Sequence, residues 1–196
     1  MAIFPGSLTR SLSRLEMAIA LIVIFILAGI FLRQVLILSA RAEQKFLEVS
    51  VLNLNTALHY RAGLFYMKGE KRKLLEMDGM NPFALMQGAI AAPGQALDDP
   101  AYVSGSLPQK YRGEIDALEN GALEAGYWYY LVNEKTLVYA VSNDEFFSSG
   151  DGLPALVRYR VKLKYKDINN NARFDSSEDT YLGVKLEDLG GYQWQI

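Results

Sequence analysis

The apolar residues of this chain gather at one end. Met17 to Leu32 (MAIALIVIFILAGIFL) is an uncharged run of 16 residues, and Val35 to Ala40 resumes it after Arg33 and Gln34. As a helix the uninterrupted run is about 24 Å long, against about 30 Å of bilayer hydrocarbon. Arg33 lies near one edge, where a long cationic side chain reaches the headgroups, so the span extends to the required length. The pattern predicts one transmembrane helix. Arg10 and Arg14 precede it, and no acidic residue occurs among the first 15. That bias places the N-terminus in the cytoplasm and everything after residue 40 outside it.

The helical period continues past the membrane. Leu36, Ala40, Leu47, Val51, Leu54, Leu58, Ala62 and Phe65 recur at steps of three, four or seven, which is one face of an α-helix. Arg41, Glu43, Gln44, Lys45, Glu48, Asn53 and Asn55 fall between them and are expected on the polar opposite face. No Pro or Gly occurs from Arg33 to Ala62. The expectation is one helix from about Leu12 to Tyr66, its first half apolar nearly all round and its second half laying one stripe on a domain. His59, beside Leu58, is expected as a boundary residue of that stripe.

From about Lys68 to Gly126 the pattern is irregular and rich in Gly and Pro. Asn81-Pro82 offers a cap and a first-turn proline before Phe83-Ala84-Leu85-Met86, and Glu114 to Leu118 is expected to form another turn. The last 70 residues read as strands. Tyr127–Val132 and Thr136–Val141 flank Asn133-Glu134-Lys135 as a hairpin. Leu156–Tyr165 alternates, with Val157, Tyr159, Val161, Leu163 and Tyr165 on one face and Arg158, Arg160, Lys162 and Lys164 on the other. Tyr181–Leu186 and Tyr192–Ile196 are further strands. The fold class predicted is α+β: a long N-terminal helix packed on a C-terminal antiparallel sheet of four or five strands.

Composition removes several chemistries. The chain has 196 residues, no Cys and one His, so disulfides, thiolate metal sites and multi-histidine metal sites are excluded. No nucleophile–base pair, nucleotide loop or paired-carboxylate motif is present, and an enzyme is not expected. Net charge is −2; with Arg10, Arg14, Arg33 and Glu16 set aside, the part after residue 40 carries 17 basic and 21 acidic side chains. The basic row Arg158, Arg160, Lys162, Lys164 invites a DNA-binding reading, but this balance does not support one. The row reads as the solvated face of a strand, paired with acids such as Glu187 and Asp188, and nucleic acid is not expected as a partner.

The start of the apolar helix carries a more specific signal. Glu16 stands at its first turn, and a carboxylate there is a functional candidate. Leu12-Ser13-Arg14-Leu15-Glu16, followed by the long apolar helix, resembles the amino-terminal signature of type IV pilins and type II secretion pseudopilins. In that family a prepilin peptidase removes a short basic leader ending in glycine, the new amino-terminal residue is methylated, and glutamate occupies the fifth mature position. Aligned on Glu16, the resemblance makes Leu12 the first mature residue and Ser11 the last of the leader. Ser11 stands where the family has glycine, and Arg14 is more polar than usual. The division implied is residues 1–11 as leader, 12–40 as transmembrane and filament-core helix, and 41–196 as a periplasmic globular domain. The resemblance implies a structural, minor subunit of a pilus or secretion pseudopilus, held in the bacterial inner membrane before assembly. Its partners would be other pilin or pseudopilin subunits, with Glu16 neutralising the amino group of Leu12 on a neighbour.

The connection between the two longest strands resembles the twelve-residue EF-hand calcium loop. It reads Asp167-Ile168-Asn169-Asn170-Asn171-Ala172-Arg173-Phe174-Asp175-Ser176-Ser177-Glu178. Calcium takes six to eight oxygens. Asp167, Asn169 and Asn171 would supply side-chain oxygens, Arg173 its carbonyl, Asp175 a direct or water-mediated contact, and Glu178 a bidentate carboxylate. Asp179 would assist or replace Glu178. Ala172 stands where the motif has glycine, and the flanks are strands rather than helices. The bland reading is an Asn/Asp-rich hairpin connection without an ion.

Two other organisations use the same features. One is an unprocessed single-pass protein with a calcium-stabilised periplasmic scaffold or sensor domain. The other is a secreted domain released at Ala40-Arg41-Ala42, a small-x-small sequence of the signal-peptidase type.

Overall fold

A computed structural model describes residues 13–84, 110–118, 123–150, 155–171, 174–175 and 178–196. The chain divides into two compact units, Met1–Ser39 and Ala40–Ile196.

Helix α1 runs from Arg14 to Met67, 54 residues, matching the extent its periodicity predicts. It ends in a Schellman motif. Gly69 adopts φ +69°, its N–H reaches the Tyr66 carbonyl at 3.1 Å, and the Glu70 N–H reaches the Phe65 carbonyl at 2.9 Å. Glycine occupies the left-handed position at no steric cost.

Within the first unit the described part of the helix buries nothing. Phe25, Phe31 and Leu15 are each at least 70% exposed, so the apolar surface is offered all round. Among the described residues this is the one helix long and apolar enough to cross a membrane or serve as a signal sequence.

In the second unit α1 contributes Ala40, Leu47, Leu54, Leu58 and Ala62 to the core, five of the residues its stripe predicts. Val51 and Phe65 are half-buried, and Leu36 is exposed. Gln44 is half-buried, and two other polar residues turn to the sheet against expectation. Glu43 is buried and Asn55 half-buried, both facing the sheet rather than solvent. Asn55 accepts the Leu186 N–H on Oδ1 at 2.8 Å and donates to the Val51 carbonyl at 3.1 Å, so it ties the helix to a strand. His59 is exposed.

After α1 comes a short helix α2, Lys71–Glu76, which seats Leu74 in the core. Gly79 then threads between two strands. Its N–H donates to the Val161 carbonyl at 2.8 Å, and its own carbonyl accepts the Tyr130 hydroxyl. At Asn81 the side chain accepts the Phe83 N–H at 3.0 Å and caps the turn as its sequence predicts. The expected continuation through Leu85 and Met86 lies outside the described residues.

The main sheet contains β1 (Tyr111–Ile115), β2 (Trp128–Leu131), β3 (Thr136–Ala140), β5 (Leu156–Lys166) and β6 (Thr180–Asp188), in the order β1-β2-β3-β5-β6. The β2–β3 hairpin forms at the predicted connection, with Leu131 opposite Thr136. Strands β3, β5 and β6 pair antiparallel. β1 pairs parallel to β2, so the sheet is mainly rather than wholly antiparallel. This corrects the turn expected at Glu114–Leu118, because Glu114 and Ile115 are strand residues opposite Tyr130 and Leu131. The predicted last strand also sits elsewhere. β7 (Tyr192–Trp194) leaves the main sheet and pairs with β4 (Phe147–Ser149) as a separate two-stranded sheet.

All residues of β2 and β3 are buried, which is why WYYL and TLVYA read as continuous rather than alternating runs. β5 keeps the predicted alternation, with Val157, Tyr159, Val161 and Leu163 inside. Trp128 lies at the centre, 5.0 Å from the Tyr139 ring and 6.1 Å from Phe83, which stacks on Tyr111 at 4.3 Å. The long helix thus lays its second half on a mainly antiparallel sheet, the α+β arrangement expected of a pilin-like fold.

Candidate functional site

Three places carry the predicted site residues. The first is the start of α1. The Ser13 hydroxyl accepts the Glu16 N–H at 3.2 Å, and the Glu16 carboxylate accepts the Ser13 N–H at 2.8 Å. This reciprocal pair is a capping box, with Ser13 as N-cap and Glu16 three residues on. Glu16 therefore satisfies an otherwise orphaned backbone donor, and its charge sits at the positive end of the helix dipole. Reading Glu16 only as a membrane carboxylate misses this local role. The signal was present as Ser-x-x-Glu immediately before an apolar run. Ser11 and Leu12 lie outside the described residues.

The second place is the loop between β5 and β6. Asp167 Oδ1 and Asn169 Oδ1 both accept the Asn171 N–H, at 3.3 and 3.1 Å. The Asn169 amide donates to Glu178 Oε2 at 2.9 Å. Positions one and three of the candidate calcium loop thus share one backbone N–H, and positions three and twelve, nine residues apart, are hydrogen-bonded. Asn170 takes the left-handed conformation, φ +57°, which Asn tolerates better than most residues.

Asp179 closes this loop. Its two carboxylate oxygens accept the Ile168 N–H at 2.9 Å and the Asp175 N–H at 2.7 Å. Asp175 accepts the Glu178 and Asp179 N–H groups on its backbone carbonyl. Phe174 packs on Tyr165 with ring centroids 5.3 Å apart. Arg173 and Ala172 lie outside the described residues. Among the described residues no three His, Cys, Asp or Glu side chains group as a metal set. Asp167, Asn169 and Glu178 nevertheless present oxygens of the kind calcium takes, on a connection that hydrogen bonds already hold in shape.

The third place is the basic row of β5. Lys162 and Lys185 both pair with Glu187 at 3.1 Å, and Arg160 donates to the Glu134 carbonyl. The hydrogen bonds from Lys185 and then Lys162 hold the Glu187 carboxyl below the usual range. Lys164 and Lys166 are exposed. Arg160 and Lys162 are thus engaged with a neighbouring turn and strand, as cross-strand pairing of a solvated face requires.

Sequence reasoning missed one buried polar centre entirely. The Glu43 carboxylate accepts four hydrogen bonds: from the Tyr139 hydroxyl (2.9 Å), the Ser142 N–H (2.7 Å), the Asn143 N–H (2.9 Å) and the Asn143 amide (2.6 Å). All its partners lie in or just after β3. Burial, then the neighbouring charge of Glu43, raises the Tyr139 phenol well above its ordinary range. The centre is saturated by its own chain and presents no free donor set to a substrate, so it reads as a fastening of α1 to the sheet.

Compared with known protein families, curated proteins and solved structures, the chain matches none significantly.

Proposed function

We propose that this protein is a structural, minor subunit of a type IV pilus or secretion pseudopilus, assembled through its N-terminal helix. The observation that carries the reading is the single helix α1. Its first part offers apolar surface on every side, its second part is committed to a sheet, and it opens on Glu16. Surface that finds no cover within its own subunit needs a bilayer or the same helix of other subunits. On this reading the chain waits in the inner membrane with residues 41–196 in the periplasm. Prepilin peptidase cuts between Ser11 and Leu12, and the helices then bundle.

Glu16 would neutralise the amino group of Leu12 on a neighbouring subunit. Such a pair enforces register, because leaving either charge alone in an apolar bundle is costly. The capping box makes a clean test available. Glu16→Gln keeps a side chain that can reach back to the Ser13 N–H but removes the charge, whereas Glu16→Ala removes both. Filaments sheared from cells are expected to contain neither variant, while both accumulate in the membrane. Normal incorporation of Glu16→Gln would contradict the charge role.

A second reading is an unprocessed single-pass periplasmic scaffold or sensor. Ser11 in place of glycine and the hydrogen-bonded 167–179 loop favour it. In either reading we propose that Asp167, Asn169 and Glu178, with Asn171, Arg173 and Asp175, hold calcium, whose charge would cross-link the two ends of that connection.

A further inference from the structure

A cavity of about 610 Å³ opens in the second unit, lined by Arg41, Gln44, Lys45, Gln193, Trp194 and Ile196. Its lining side chains include two cations and no acid. Arg41 and Lys45 stand four apart on α1, so they project from one side of the helix. Arg41 is exposed and has no hydrogen bond or ion pair among the described residues. Lys45 pairs with Glu48 at 2.5 Å, yet its side chain remains 73% exposed. The Gln44 amide donates one N–H to Glu48 Oε1 at 3.1 Å and keeps a second N–H, and Gln193 adds another neutral amide. Trp194 is held by Phe147, edge to face at 5.3 Å, so the indole wall is fixed rather than adaptable.

The place of these residues along the helix selects the ligand. The apolar run ends at Ala40. Arg41 and Lys45 follow it by about 1.5 and about 7.5 Å of helix rise. A polar headgroup layer is about 5–7 Å deep on each side of the hydrocarbon. Tryptophan is enriched at that depth, and basic residues just beyond a membrane helix attract anionic lipid. The volume is that of a small-molecule site. We propose that this cavity receives the phosphate-bearing headgroup of an anionic phospholipid, with Arg41 and Lys45 on the phosphate, the glutamine amides on headgroup hydroxyls and Trp194 as the wall. The inference rests on α1 spanning a bilayer but not on Glu16 acting in assembly.

The test uses the full chain in mild detergent micelles containing equal amounts of phosphatidylglycerol and phosphatidylcholine, with retained lipid counted by native mass spectrometry. Each basic side chain near a membrane surface favours anionic lipid by about fivefold. Phosphatidylglycerol is therefore expected to be retained over phosphatidylcholine by about fivefold or more. Arg41→Gln with Lys45→Gln is expected to bring the ratio to one, with circular dichroism unchanged because both side chains are exposed. Equal retention by the unaltered chain, or a preference that survives the double substitution, overturns the proposal. Saturable binding of soluble glycerol phosphate in phosphatidylcholine micelles would assign the cavity to a free phosphate ester and overturn it too. None of these results bears on whether Glu16→Gln enters filaments.

Discussion

The Glu43 carboxylate accepts the hydroxyl of Tyr139 at 2.9 Å, joining residues 96 positions apart in the sequence. With Ser142 and Asn143 completing its acceptor sites, this one side chain ties the start of the domain-facing half of α1 to the end of β3. A buried carboxylate so fully satisfied stabilises its contact, and removing it strands several donors at once.

Glu43→Ala is expected to destabilise the domain by about 3–5 kcal/mol, since it leaves one hydroxyl, two backbone N–H groups and one amide without their acceptor. Glu43→Gln keeps the shape but replaces two acceptor oxygens by one, and about 1–3 kcal/mol is expected. Urea unfolding of the full chain in detergent, followed by near-ultraviolet circular dichroism, reads both. A loss below about 1 kcal/mol for the alanine variant would show that the fastening is not structural.

Alkaline pH should weaken the same region. The Tyr139 phenol is raised by burial and by Glu43, and the Tyr159 phenol by burial and its hydrogen bond with Tyr192. In both cases the folded protein disfavours the phenolate, while the unfolded chain ionises near 10.0, the ordinary value. The stability is thus fully present below about pH 10 and is lost as pH rises further, by up to about 1.4 kcal/mol per pH unit for each Tyr. Melting temperatures measured from pH 8 to pH 11 should fall only above about 10, and Tyr139→Phe should reduce the slope. A flat profile would contradict the burial of these phenols.

Two glycines separate backbone strain from crowding. Gly69 and Gly79 both have φ near +70°, but an added Cβ meets nothing at Gly69 and lies 2.9 Å from Lys135 Cδ at Gly79. Gly69→Ala is expected to cost about 1 kcal/mol, the price of a left-handed alanine. Gly79→Ala should cost more, about 2 kcal/mol, because the segment is also pinned by the Tyr130 hydroxyl and the Val161 carbonyl. Equal losses at the two positions in urea unfolding would show that the Gly79 crossing yields freely.

The 167–179 connection gives a calcium prediction. Addition of calcium to the chelator-treated protein is expected to raise the melting temperature, because an ion that binds only the folded loop stabilises it. Asp167→Ala should abolish the increase. Asp179→Ala should lower the baseline stability with or without calcium, because its carboxylate holds two backbone N–H groups directly. Identical melting with calcium and with chelator would leave the loop a hydrogen-bonded turn.

The sequence made the long helix, the β2–β3 hairpin and the two long strands legible, because each rests on local periodicity and turn chemistry. It did not reveal β1, whose five residues YRGEI alternate only between half-buried and exposed and pair parallel to β2 through a long connection. The separate β4–β7 sheet was equally hidden, since three-residue strands carry no period. Glu43 was misplaced for a different reason. Helical spacing assigns a charged residue to the solvent face by default, and only the tertiary partners Tyr139 and Asn143, far along the chain, reverse that assignment. Asp179 was the converse: its proximity to the loop was visible, but its closure of both ends depended on a fold that brings Ile168 and Asp175 to one carboxylate.

The measurement that bears most directly on the central claim is the intact mass of the protein purified from its native membrane. Prepilin processing predicts a chain beginning at Leu12 and carrying one added methyl group. A chain that retains residues 1–11, or one that begins at Glu43, would contradict assembly as a pilin-like subunit.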